Sequence, residues 1–180
     1  MRLQIRHQND LKICSNLLAK ARDGISTNRI VDRKLAHIYV SDTCHVGFGA
    51  MSMTGRTCRF LIHPDLRNRL HINTLKFFVE FVIVWWECTQ DFITGDDCTL
   101  SVGDNTSSIG WICGSKFNDS TQHPNQEISR KWAHLSILFK CVNYGQHMSW
   151  TKTVCTDSIS RDHHIHVDKL TTILNFMCPL

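Results

Sequence analysis

The chain has 180 residues, 42% hydrophobic and 20% charged, with a formal net charge of +4. This length and composition suit one domain with short extensions and exclude a globally disordered chain. The charge is uneven: residues 1–34 carry 8 Lys/Arg against 3 Asp, so this arm is either a solvated leader or a contact for a phosphate backbone.

The arm contains an amphipathic stretch, Leu11 to Ala21, whose helix is expected to close at Asp23-Gly24. His37 to Val40 is β-prone and ends in Ser41-Asp42. Gly47 to Met53 reads as a second strand, with glycines where backbones approach closely. Thr54-Gly55 is a turn, and Arg56 to Ile62 is a third strand ended by Pro64. Asn73 to Cys88 reads as a helix. Its polar residues Asn73, Lys76, Glu80 and Glu87 fall on one stripe at about 100° per residue. All else is apolar, so this helix is expected to be buried except along that stripe. Its run Phe77 to Trp86 falls short of the ~20 apolar residues that a membrane span needs.

Thr94 to Asp97 is a turn, and Cys98 to Val102 is a fourth strand running into Gly103-Asp104. Asn105 or Thr106 caps a short helix through Cys113. A polar loop, a helix from Gln126 to Val142, a fifth strand from Tyr144 to Trp150, and a helix from Val154 to Arg161 follow. Lys169 to Phe176 has room for a turn or two of helix. The order β-β-β-α-β-α-α-β-α implies an α/β fold with a mixed sheet flanked by helices.

Nine cysteines occur without a Cys-x-x-Cys pair, which supports neither a zinc ribbon nor a redox motif. Their odd number, and the absence of an apolar leader in Met1 to Arg6, point to reduced, mostly buried thiols in an intracellular, unsecreted protein. Cytoplasm and nucleus stay equally open.

Three aspartates stand at strand ends or near a helix start: Asp42, Asp104 and Asp157. A fold that gathers them makes a carboxylate cluster of the kind that magnesium-dependent phosphodiester chemistry uses. Four local motifs carry a family resemblance: Ser41-Asp42 with Gly47-Phe48-Gly49-Ala50, His71-Ile72-Asn73-Thr74-Leu75-Lys76, Gly103-Asp104-Asn105-Thr106 with Trp111, and Val154 to Arg161 around Asp157. In this order they resemble the ribonuclease H domain of retroelement (retrotransposon) reverse transcriptases.

The resemblance implies a ribonuclease H-like fold with a five-stranded mixed sheet, three antiparallel strands followed by crossover strands. It implies a domain over 35–164, a basic connector over 1–34 left from an upstream polymerase linker, and a tail over 165–180. It implies a nuclease ancestor, a hydrolase that cuts the RNA of RNA–DNA hybrids with two Mg²⁺ ions about 3.5–4 Å apart. Asp42, Asp104 and Asp157 match three of that family's metal ligands and catalytic residues. The fourth, a glutamate, is Lys76 here.

That replacement removes an oxygen ligand and adds a positive charge. An ammonium ~4 Å from a carboxylate attracts it by roughly 4 kcal/mol at an effective dielectric of 20. Lys76 is therefore expected to neutralise Asp42 or Asp104 and weaken Mg²⁺ binding, which leaves a slow or silent enzyme. Glu80, ~6 Å further along the helix axis, is the one acid placed to substitute, although that distance is long for a metal ligand. Asn105 and Thr106 are candidates for contact with a strand phosphate, capping being their commoner task. The competing readings are an inactive nucleic-acid-binding domain and a translated remnant of a transposable element. His163, His164 and His166, with Asp162 and Asp168, form a tail cluster open to solvent or to a transition metal. Trp111 and Trp132 read as core.

Overall fold

A strand rich in alternating large and small side chains forms the centre of the sheet. Strand β1 (Leu35–Thr43) buries Tyr39, Ser41, Asp42 and Thr43 and has a strand on each side. The structure, a computed structural model, describes residues 5–21, 35–90, 92–93, 97–114, 117, 122–149, 154–166, 168–170 and 172. Strand β2 (Gly47–Ser52) pairs antiparallel with β1, and β3 (Thr57–Leu61) pairs antiparallel with β2. Strand β4 (Cys98–Gly103) joins the other side of β1 in parallel, and β5 (Val142–His147) extends the sheet in parallel from β4. The order β3-β2-β1-β4-β5 is the mixed sheet expected from the sequence.

The helices form where the chain supplies their ends. Helix α1 spans Ile5–Ala21; the closing turn expected at Gly24 lies outside the described residues. A short helix α2, Pro64–Arg69, was absent from the sequence reading. Pro64 sits in its first turn, where a missing N–H costs nothing, and the His63 ring accepts a hydrogen bond from the Asp65 amide at 3.3 Å. Helix α3 (Ile72–Thr89) is capped likewise by the His71 ring, which accepts from the Asn73 amide at 3.2 Å. Helix α4 is Thr106–Gly114, α5 is Gln122–Phe139 and α6 is Val154–Arg161. Helix α5 starts earlier than expected because Pro124 falls within its first turn, where proline is tolerated.

The packing of α3 corrects one expectation. Its polar stripe does not meet water. Glu80 and Glu87 are only 2% and 1% exposed, whereas Trp85 on the apolar side is 47% exposed. The stripe lies against polar groups of the sheet, so α3 is joined to β1 by buried polar contacts at both ends. Beside these polar groups Leu75, Val79 and Ile83 pack on Tyr39, Phe48 and Ala50. A second cluster joins Phe77 and Val84 of α3 to Trp111 of α4 and Trp132 of α5. Trp111 and Trp132 are thus core, as read from the sequence. The thiols divide: Cys88, Cys98 and Cys141 are buried, but Cys14 and Cys113 are exposed, so burial is less general than expected. No helix among the described residues is long and apolar enough to cross a membrane.

Helix α6 covers the opposite face of the sheet, over β2 and β1. Ile159 packs there with Leu170, Met51 and Ile165. The Arg59 guanidinium on β3 donates to the carbonyls of Asp162 and Ile165 at 3.1 and 2.7 Å. At the other end of the chain, Asp10 of α1 accepts from Arg130 of α5 at 2.7 Å.

Close approach of α6 to β2 depends on Gly49. A Cβ there would stand 2.3 Å from Ile159 Cγ2 and 2.9 Å from the Ile159 carbonyl carbon. Replacing Gly49 with alanine should overpack this contact and cost about 1–3 kcal/mol. Urea denaturation checks it: a midpoint equal to that of the wild type contradicts the packing described.

Candidate functional site

Parallel neighbours end on the same edge of a sheet. Asp42, near the end of β1, and Asp104, the residue after β4, therefore come together although 62 positions separate them in the sequence. The first turns of α3 place Lys76 above the gap. Its Nζ donates to Asp42 Oδ1 at 3.1 Å and to Asp104 Oδ1 at 2.5 Å. Asn105 fixes the neighbouring helix start: its Oδ1 accepts from the Ser108 amide at 2.8 Å, and its Nδ2 donates to Asn73 Oδ1 at 2.9 Å.

The bridge is electrostatically self-consistent. Burial pushes the Asp42 carboxyl up, but the Lys76 charge and its hydrogen bond, with help from the Thr43 amide and the Ser160 hydroxyl, hold it below the usual range. Burial alone would lower Lys76, yet Asp104 and Asp42 raise it above the ordinary lysine value. Such a group stays charged from mildly acid to strongly alkaline pH.

Glu80 reaches the same cluster. The Ser41 hydroxyl donates to Glu80 Oε1, while Oε2 is buried without a hydrogen-bond partner. Gly103 permits this position, since a Cβ there would lie 3.1 Å from Glu80 Oε1. Burial is the main influence on Glu80 and raises its carboxyl to about 7, against the opposing effects of Ser41 and Lys76. The axial rise between Lys76 and Glu80 suggested a distant group. The side chain instead follows the sheet surface back to Ser41, a residue whose hydroxyl, adjacent to Asp42 in sequence, was the available signal.

Asp157 is placed differently. Its carboxylate is 46% exposed and accepts from Arg161 Nε at 2.6 Å, one helical turn on. From the same helix it is Ser160 that reaches the centre, donating to Asp42 Oδ2 at 3.0 Å. The sequence reading missed Ser160; its position one turn after Asp157 was the only hint. Thr106 is exposed at the first position of α4. The tail histidines do not converge: the His163 ring lies 2.9 Å from the Ser160 carbonyl, and His166 pairs with Asp168 at 3.3 Å.

The space at the centre is a cavity of about 10 Å³, lined by Asp42, Lys76, Glu80 and Asp104 among others. That is room for about one water. Mg²⁺ demands near-octahedral oxygen coordination and retains several of its own waters. The carboxylate oxygens nearest the gap are already engaged by an ammonium. Among the described residues no group of three or more His, Cys, Asp or Glu is arranged to hold a metal ion. These residues do not fit Mg²⁺ while Lys76 occupies the gap.

A comparison of the sequence with protein-family models finds no match, and a comparison with curated proteins finds none. Solved structures do match in fold. The chain is similar to LC11-RNase H1 in complex with an RNA/DNA hybrid, with a TM-score of 0.56 at 13% identity, over 74% of this chain and 98% of that one. A second structure of LC11-RNase H1, isolated from compost, gives 0.51 at 13% identity, covering 76% and 98%. The N-terminal RNase H domain of rv2228c from Mycobacterium tuberculosis gives 0.52 at 11% identity, covering 78% and 99%. The fold is ribonuclease H-like.

Two outcomes follow from the charges. Lys76→Met leaves Asp42 and Asp104 facing each other and should cost on the order of 3 kcal/mol at pH 7. The loss should shrink as pH falls through the acid range, because the stability Asp42 contributes is full above its ordinary pKa and is lost as pH falls on through its lowered value in the folded protein. Chemical denaturation at pH 3.5 and pH 7 measures both. Glu80 has the opposite sign: its raised carboxyl lowers stability as pH rises from about 4.5 to about 7, by on the order of 3 kcal/mol. Glu80→Gln should flatten that window, and a pH–stability profile identical to the wild type would contradict the burial described.

Proposed function

We propose that this chain is a ribonuclease H-like domain of retroelement origin that binds RNA–DNA hybrids and cleaves them poorly or not at all. The single observation behind this reading is the Lys76 ammonium held between Asp42 and Asp104. In the family that the sequence resembles, this gap belongs to Mg²⁺ ions, and the lysine position belongs to a glutamate ligand. Here a fixed cation of the protein neutralises the carboxylates, and the attacking water has no metal to activate it.

Hybrid binding is supported by the fold, since a similar structure, LC11-RNase H1, is in complex with an RNA/DNA hybrid. The exposed Thr106 at the start of α4 is the remaining candidate for a phosphate contact, because Asn105 uses both ends of its amide within the protein. The retroelement origin rests on the four local motifs. DNA flanking the coding sequence tests it: a polymerase reading frame upstream supports the origin, and intact unrelated flanks overturn it.

The activity test compares wild type, Lys76→Glu and a hybrid substrate with and without Mg²⁺. Wild type should cleave more than about 100-fold more slowly than Lys76→Glu, given that even outer-shell changes cost 10–100-fold in metal affinity. Both proteins should bind the hybrid with an affinity that falls as salt rises. Mg²⁺-dependent cleavage by the wild type at the rate of Lys76→Glu would overturn the impaired site. An absence of hybrid binding by a folded wild type would overturn the binding role.

A further inference from the structure

The ends of β1 and β4 carry a charge that the protein sets by itself. Asp42 and Asp104 bring two negative charges there, and Lys76, 3.1 and 2.5 Å from them, returns one. Asp157 and Arg161, paired at 2.6 Å, cancel each other. Glu80 is buried with its Oε1 on the Ser41 hydroxyl, so it adds the same background whatever stands at position 76. A glutamate at that position would leave three unopposed carboxylates where the lysine leaves one.

Carboxylates gathered in one gap repel a phosphate as they attract a divalent cation. A nucleic-acid backbone comes to such a gap favourably only once a cation has offset its charge. Lys76 offsets it permanently. The bridge is not sealed, since the side chains of Lys76 and Asp104 are 16% and 24% exposed. Nor does a charge act only at contact: its field extends over about 8–10 Å at 0.1–0.15 M salt. The rim is also preformed. The His147 ring donates to the Asp104 carbonyl at 3.1 Å, and Asn105 is braced on Asn73 and on the Ser108 amide. Thr106, two residues after Asp104, stands exposed beside them.

We propose that Lys76 is a built-in counter-charge for binding, which lets the phosphate backbone of an RNA–DNA hybrid settle over the ends of β1 and β4 without a divalent metal. The inference rests on the hybrid-binding reading above and adds the metal-independence of that binding. The ammonium that keeps the ion out takes over its electrostatic part in holding the backbone, and none of its part in cleavage.

Fluorescence anisotropy of a short labelled RNA–DNA hybrid, titrated with the full chain in EDTA and in Mg²⁺ at equal ionic strength, tests this. The wild type should bind in EDTA at least as tightly as in Mg²⁺, because added Mg²⁺ then only competes for the phosphates. In EDTA, Lys76→Gln should bind about tenfold more weakly. That is the effect of one unit charge ~8 Å from a phosphate at a dielectric between the surface and bulk values. Asp104→Asn, which keeps an oxygen to accept from Lys76, should bind about tenfold more tightly for the same reason. A role in folding alone predicts weaker binding for both variants, so the opposite signs carry the assignment. Wild-type binding that strengthens with Mg²⁺ overturns this inference and leaves hybrid binding standing. Equal binding by folded Lys76→Gln does the same. So does binding by Asp104→Asn no tighter than the wild type, a result that counts even where Lys76→Gln fails to fold. Absence of binding by the folded wild type in both solutions overturns the hybrid-binding reading, and this inference with it.

Discussion

Two carboxylates at the ends of adjacent parallel strands cannot both stay ionised and buried without a cation between them. This constraint organises the centre of the protein. Parallel pairing of β1 with β4 fixes the approach of Asp42 to Asp104, and the backbone cannot relieve the repulsion without giving up sheet hydrogen bonds. A mobile metal ion is one solution, and a tethered ammonium is another. Lys76 supplies the second from within the fold. A tethered cation needs no free ion and loses no binding entropy, but it presents no Lewis-acid face to a substrate.

The rest of α3 repeats the principle at its far end. Glu87 is buried against Arg56, 3.0 Å away, and the Arg56 guanidinium lies 4.0 Å over the Phe92 ring. Tyr39, close to both, has its hydroxyl pushed up by burial and by the Glu87 charge. A helix that is apolar on its outer side thus meets the sheet through Lys76 and Glu80 in its first half and Glu87 near its last turn, with Leu75, Val79 and Ile83 packed on the sheet beside them. Charge pairs of this kind add little net stability over an apolar contact, but breaking one partner is costly. They therefore fix the register of α3 on the sheet more than they strengthen the contact.

Much of this was legible in the sequence, for physical reasons. Strand ends were marked by Ser41-Asp42 and Gly103-Asp104, where β-prone runs stop at residues that prefer turns. The start of α4 was marked by Asn105, whereas the start of α5 just ahead of Pro124 went unread. Side-chain direction was harder. The α3 stripe was read as a face toward water because polar residues usually point there, but a sheet edge rich in hydroxyls and carboxylates competes with water for them. Ser160 was missed, and the reach of Glu80 was misjudged, for one reason: each acts through a neighbour, Asp42 or Ser41, that only the three-dimensional pairing supplies. Asp157 was read as a centre residue from its motif, whereas its side chain turns to Arg161, a local i,i+4 partner that was visible in the sequence but not weighed.

The contact between Ser160 and Asp42 joins residues 118 positions apart, and the Arg59 clamp on Asp162 spans 103. These spans translate into time during synthesis. A ribosome adding ~5–20 residues per second needs on the order of 10 s to make the intervening chain. Through that interval the β1–β3 meander has no α6 against its second face, and Ile159 is not yet present to cover Gly49. The carboxylate–lysine bridge draws only on residues up to Asp104, so all of its groups are synthesised before one of the two walls of the polar centre exists. Order of synthesis, rather than strength of contact, then sets which face of this sheet waits longest for its cover.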